Sequence, residues 1–113
     1  MKSALPLPED KKLSVLFRVE PGCLGPQGSS HIAKFCDEAQ QECQSLDADY
    51  IIWNVVPRSD KSLPEIQYAL ADKRISAAQA KKYLALFDKV LDDVENHFDD
   101  KLEALIVQFL SAV

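Results

Sequence analysis

The sequence predicts a small α+β domain, because three successive stretches carry apolar residues at three different periods. Residues 13–20 alternate, residues 32–46 repeat every three or four positions, and residues 50–56 are apolar almost throughout. A strand turns every second side chain to one face and a helix every third or fourth. These periods therefore mark a half-buried strand, an amphipathic helix and a buried strand, in that order. A second helical period fills the C-terminal third of the chain, which places a strand-rich half ahead of a helical one.

In "LSVLFRVE" (residues 13–20), Leu13, Val15, Phe17 and Val19 share one face, and Ser14, Leu16, Arg18 and Glu20 the other. Ile32, Phe35, Cys36, Ala39, Cys43 and Leu46 then form a single apolar stripe, with Lys34, Asp37, Glu38, Gln41 and Glu42 opposite. That is the pattern of a helix lying on a core. Ser29 or Ser30 is the expected N-cap, since a serine oxygen accepts an orphan N–H of the first turn. "YIIWNVV", residues 50–56, is too short for a helix and rich in β-branched and aromatic residues, so it reads as a central strand ended by Pro57. Asn54 interrupts it and, if buried, must be hydrogen-bonded, as a structural pin by preference or as a ligand contact. Ile66, Tyr68 and Leu70 alternate within residues 63–74. A third strand is expected there, paired with 50–56, although Ser62, Pro64 and Glu65 also resemble a helix start.

"SAAQ" (residues 76–79) is a capping box, with Ser76 capping forward and Gln79 reaching back. From Ala80 the apolar residues Leu84, Phe87, Leu91, Val94, Phe98, Leu102, Leu105, Phe109 and Val113 keep helical spacing, and residues 65–113 contain no glycine and only Pro-free sequence. The order is thus β-α-β-β-α: a three-stranded mixed sheet with helices on one face and a long helical region over 76–113. In outline it resembles a truncated ferredoxin-like arrangement. Residues 1–12, "MKSALPLPEDKK", read as a flexible tail ahead of a single domain over 13–113.

Composition narrows the function classes. The apolar fraction of 47% and charged fraction of 27% are those of a globular protein. No apolar run reaches the roughly 18 residues of a membrane span, and the first residues lack a secretory core. Three cysteines without a CxxC spacing argue for a reducing compartment, so a cytoplasmic location is expected. The net charge is −5, and the stretch 88–103 supplies that whole excess through Asp88, Asp92, Asp93, Glu95, Asp99, Asp100 and Glu103. A chain without a basic stripe has no means of neutralising a nucleic acid backbone.

The candidate site is "PGCLGPQGSSH", residues 21–31, which holds all three glycines of the chain. It joins a strand to a helix N-terminus, where Gly22, Gly25, Gly28, Ser29 and Ser30 offer backbone and hydroxyl donors to an anion. The spacing matches neither the dinucleotide fingerprint nor a phosphate loop, and Pro26 removes a donor. Cys23 with His31 offers a thiol–imidazole pair, the minimum for nucleophilic catalysis, but no third group orients it. A stiffened chain reversal, with glycines at positive φ and Pro21 and Pro26 bracing it, accounts best for the composition. Cys36 and Cys43 lie about 10 Å apart along their helix, too far for one zinc ion, and Asp93 with His97 makes only two ligands, so neither a metal nor another cofactor is expected.

One straight helix over 76–113 would reach about 57 Å, beyond the roughly 34 Å diameter of a compact domain of this size. Either it breaks near Asp99–Asp100, or its exposed end meets another chain. "ALIVQFLSAV" is apolar around most of its circumference, which marks an interface. The expectation is a non-catalytic protein working through protein contacts, a homodimer joined through Leu102, Leu105, Ile106, Phe109 and Leu110. Small-molecule or thiol chemistry at the 21–31 loop is the alternative.

Overall fold

The computed structural model describes residues 5–112. Its elements are β1 (Leu13–Val19), α1 (Gly28–Cys43), β2 (Ile51–Pro57), β3 (Ile66–Leu70), β4 (Lys73–Ile75), α2 (Ala77–Ala85) and α3 (Leu91–Ala112). Short 3-10 turns at Glu9–Lys11 and Pro21–Leu24 flank β1. The α+β class stands, but the sheet is mixed and four-stranded, in the order β2-β1-β3-β4.

β1 and β2 pair in parallel, with Val15 opposite Trp53, and α1 is the crossover between them. β3 runs antiparallel to β1, with Tyr68 opposite Val15, and β4 antiparallel to β3. Two expectations are corrected here. The strand at 51–57 lies at the edge of the sheet, not its centre, and the third strand pairs with β1 instead of with it. The two strands of the βαβ unit are direct neighbours, so the ferredoxin-like split, in which a strand separates them, is absent. β4 was hidden in the sequence because its turn, Ala71–Asp72, has positive φ at both residues without the glycine or asparagine that usually signals such a hairpin.

An exposed edge strand invites pairing with other chains. Gln40 of α1 closes this one: its Nε2 donates to the Trp53 carbonyl (2.8 Å) and its Oε1 accepts from the Val55 N–H (2.7 Å). The opposite edge, β4, is three residues long and carries Lys73 and Arg74, both common devices against edge association.

Register assigns the faces. Leu13, Val15, Phe17 and Val19 lie beside Ile51, Trp53 and Val55 on one side and Ile66 and Tyr68 on the other. This face carries the core. Trp53 stacks on Phe98 of α3 (centroids 4.5 Å apart, 16° between planes), and Phe17 leans on the same ring at 4.8 Å. The Trp53 indole N–H donates to the Leu46 carbonyl at 2.8 Å, which ties the end of α1 to β2. Phe35, Cys36, Ala39 and Cys43 of α1 are buried with them.

The capping box at Ser76 forms as expected, with both hydrogen bonds present. The helical region then breaks at Leu86–Val90 and not at Asp99–Asp100, which lie inside α3. Asp88 adopts φ 60°, and the Lys89 and Asp88 N–H groups donate to the Leu84 (3.0 Å) and Ala85 (3.1 Å) carbonyls. That is a Schellman closure with aspartate where glycine usually stands. α1 begins at Gly28, two residues before Ser30, and its N-cap Gln27 makes no side-chain cap. Residues 1–4 of the expected tail lie outside the described residues. The rest of it rests on the domain: Leu7 is buried and its N–H donates to the Asp49 carbonyl at 2.8 Å.

Candidate functional site

The 21–31 loop is a compact chain reversal. The Cys23 N–H donates to the Glu20 carbonyl, and the Gly28 N–H to the Gly25 carbonyl, each at 3.0 Å. Only Gly25 of its glycines has positive φ, 84°. Gly28 is required for another reason: a Cβ there would sit 1.7 Å from the Pro21 carbonyl oxygen, so the start of α1 packs directly on the preceding turn. Gly22 has open space around it.

This geometry leaves little for an anion. Gly28 and Ser30 spend their N–H groups on the Gly25 and Gln27 carbonyls, and the Pro21 oxygen crowds the helix entrance. Ser29 and Ser30 are exposed helical residues. Cys23 is an exposed free thiol. His31, half-buried, sets its ring edge-on to Phe109 at 5.8 Å. No hydrogen bond joins Cys23 to His31 among the described residues; the His31 ring is set against Phe109 instead.

The remaining cysteines are core residues. Burial, reinforced by Asp37, pushes the Cys36 thiol up to about 11. Burial also carries Cys43 to about 11, with Lys101 opposing and Glu42 assisting. His97 pairs with Asp47 (3.0 Å) and not with Asp93. Among the described residues no group of three or more His, Cys, Asp or Glu side chains is placed to hold a metal ion.

Of the expected interface residues, Leu102 and Phe109 are buried within the chain, and Leu105 and Ile106 are half-buried against the core. Phe109 meets Phe35 edge-on at 5.4 Å, so α1 and α3 satisfy most of the seam between them. Leu110 is exposed, 42%, together with Val107.

A surface that periodicity alone did not single out is the second face of the sheet. Ser14, Leu16 and Arg18 of β1, Ile52, Asn54 and Val56 of β2, Gln67 and Ala69 of β3 and Arg74 of β4 alternate with the core residues; Asn54 and Arg74 are exposed, the others half-buried, and none is buried. Asn54 is exposed there, so it is not a core pin. The signal was present in Leu16, Ile52 and Val56, apolar residues at positions that alternation turns away from the core.

A small pocket opens where the sheet meets α3. About 160 Å³ in volume, it is lined by Phe17, Trp53, Ile66 and Phe98 with Glu65, Glu95 and Asp99. The Tyr68 hydroxyl donates to the Glu95 carboxylate. Burial and that bond raise the phenol's pKa and keep it protonated.

The chain matches no family model, no curated protein and no solved structure. No helix among the described residues is long and apolar enough to cross a membrane.

Proposed function

We propose that the protein acts through protein contacts and not by catalysis, and that it pairs with a second copy of itself across the face of the sheet turned away from the core, here called the bare face because none of its residues is buried. One observation carries this reading: β1 and β2 form a parallel pair whose second face holds no buried residue, with Leu16, Ile52 and Val56 half-buried outside the core cluster. Parallel strands are normally covered on both faces, because their crossovers supply helices to each. Here the buried apolar residues of the helices join one cluster with Trp53, and Leu16, Ile52 and Val56 lie outside it.

A second copy suits the face chemically. Leu16, Ile52, Val56 and Ala69 are apolar, and the amides of Asn54 and Gln67 each donate and accept, so both groups can pair with their own kind. Of its charges, Arg18 is turned aside to the Pro64 carbonyl (2.6 Å) and Arg74 lies on the edge strand. Packed face to face about a two-fold axis, two such sheets make a sandwich. At ~4.8 Å between strands and ~3.3 Å per residue, the face measures about 350 Å² per copy. Even doubled, that falls short of the ~1,200 Å² of a standard stable interface, so the association is weak and transient.

Sedimentation equilibrium from about 1 μM to about 500 μM tests it, a range that spans weak affinities. The expected result is a rising average mass that Leu16→Glu and Val56→Glu abolish and that Val107→Glu and Leu110→Glu leave intact. A monomer throughout, or dissociation by the α3 variants alone, rejects the bare face as the contact.

A further inference from the structure

We propose that the pocket between β1, β3 and α3 receives the side chain of a lysine from a basic segment of a protein partner. The proposal rests on the protein-contact reading above but uses the opposite face of the sheet. Trp53 and Phe98 are almost fully buried and stacked on each other, while Phe17 covers Phe98 from the side. Those ring faces are occupied, so they form a floor and not an aromatic cage. The apolar surface left to an incoming group belongs to Phe17 and Ile66, both half-buried. An alkyl chain suits such a surface.

The rim supplies the opposite preference. Glu65, Glu95 and Asp99 stand around the opening. Among the described residues the ion pairs are Lys12–Glu9, Arg58–Glu20, His97–Asp47 and Lys101–Glu42, so none of the three rim carboxylates is paired with a cation. The Tyr68 hydroxyl donates a hydrogen bond to Glu95 and thereby holds that carboxylate at the edge of the apolar floor. A lysine, with a four-carbon stem and a compact ammonium carrying three donors, matches a greasy floor inside an acidic rim. Size agrees: 160 Å³ is close to the ~150 Å³ of a cavity that accepts benzene.

A protein source follows from what surrounds the pocket. Glu95 and Asp99 belong to a stripe that continues along α3 through exposed Asp92 and Glu103. A free amine would use the pocket alone, whereas a segment with several lysines gains from the whole stripe, whose field concentrates cations at the opening.

Trp53, the only tryptophan of the chain, reports on the pocket floor by its fluorescence. The probe is an acetylated, amidated peptide of alternating lysine and alanine, titrated at low salt. n-Butylammonium and the same peptide with glutamate serve as comparisons. The expected result is saturable binding of the lysine peptide with a change in Trp53 emission and no binding of the glutamate peptide. Glu95→Gln with Asp99→Asn should weaken it about tenfold, and Glu95→Gln retains an acceptor for Tyr68 so that the fold persists. Asp93→Asn with Asp100→Asn removes the same charge from α3 away from the pocket and should cost less than about twofold. Equal losses from both pairs reduce the effect to general acidity and overturn the proposal. So does binding of n-butylammonium as tight as that of the peptide, or the absence of peptide binding. Leu16→Glu, titrated in parallel, should bind the peptide like the parent; its self-association is measured separately, so failure of the bare-face contact and failure of the pocket are told apart.

Discussion

Consider Gln40→Ala. In the parent the amide makes two part-buried bonds to β2, at 2.8 Å to the Trp53 carbonyl and 2.7 Å from the Val55 N–H. Each such bond contributes about 1 kcal/mol net, and each backbone group stranded beside a helix costs more than the bond itself where water reaches it poorly. The change in helix propensity is favourable but only a few tenths of a kcal/mol. The expected loss is about 2–3 kcal/mol. For a domain of this length, at about 4 °C per kcal/mol, Tm should fall by about 8–12 °C. Gln40→Glu separates the two bonds, because a carboxylate still accepts from Val55 but sets an anionic oxygen against the Trp53 carbonyl; at neutral pH it should be no more stable than Ala. The Ala variant also uncovers a strand edge, so light scattering during the melt should rise earlier than in the parent. Thermal and urea unfolding measure the first effect and scattering the second. If Gln40→Ala melts within about 2 °C of the parent without added scattering, the edge is protected by something other than this side chain.

The glycines should rank by what a methyl group meets: Gly28→Ala costs about 3 kcal/mol, because its Cβ collides with the Pro21 carbonyl oxygen at 1.7 Å. Gly25→Ala, strained at φ 84°, costs about 1–2 kcal/mol, and Gly22→Ala is close to neutral; equal costs in urea unfolding would contradict the ranking. Iodoacetamide near neutral pH should modify Cys23 alone, since thiols pushed up to about 11 hold almost no thiolate there. Mass spectrometry of the native protein showing modified Cys36 or Cys43 refutes their burial. His97 has its pKa raised above 6.5 by its hydrogen bond to Asp47 and by the charge there. The pair therefore stabilises the fold fully below pH 6.5, and that stabilisation is lost as pH rises through the raised value. The stability gap between parent and His97→Gln should close in that direction, and a gap that widens with pH reverses the assignment.

Local chemistry made much of this fold legible in the sequence. β1, α1, β2 and the Ser76 capping box are each written in a contiguous period or motif, and a period needs no distant partner to be read. The burial of Cys36 and Cys43 followed from the same stripe. The helix break and the β3–β4 turn were illegible because Asp88, Ala71 and Asp72 take left-handed backbone conformations that glycine normally announces. Their neighbours hold them there, as the closing bonds to Leu84 and Ala85 hold Asp88.

Tertiary structure alone decided the rest. Strand order cannot be read from strand content, so β2 looked central because it is apolar, although its second face holds no buried residue and its outer edge is closed by Gln40, a residue whose polarity in the sequence signals only a solvated helix flank. The C-terminal seam gave the same periodicity whether its partner was another chain or α1, and the contact of Phe109 with Phe35 made it α1. Glu65, Glu95 and Asp99 come from a loop and a helix separated in sequence, and they converge on Phe17 and Ile66 only because β3 pairs with β1 beneath α3. Apolar spacing fixes which face of an element avoids water, but what covers that face depends on packing between segments remote in the chain.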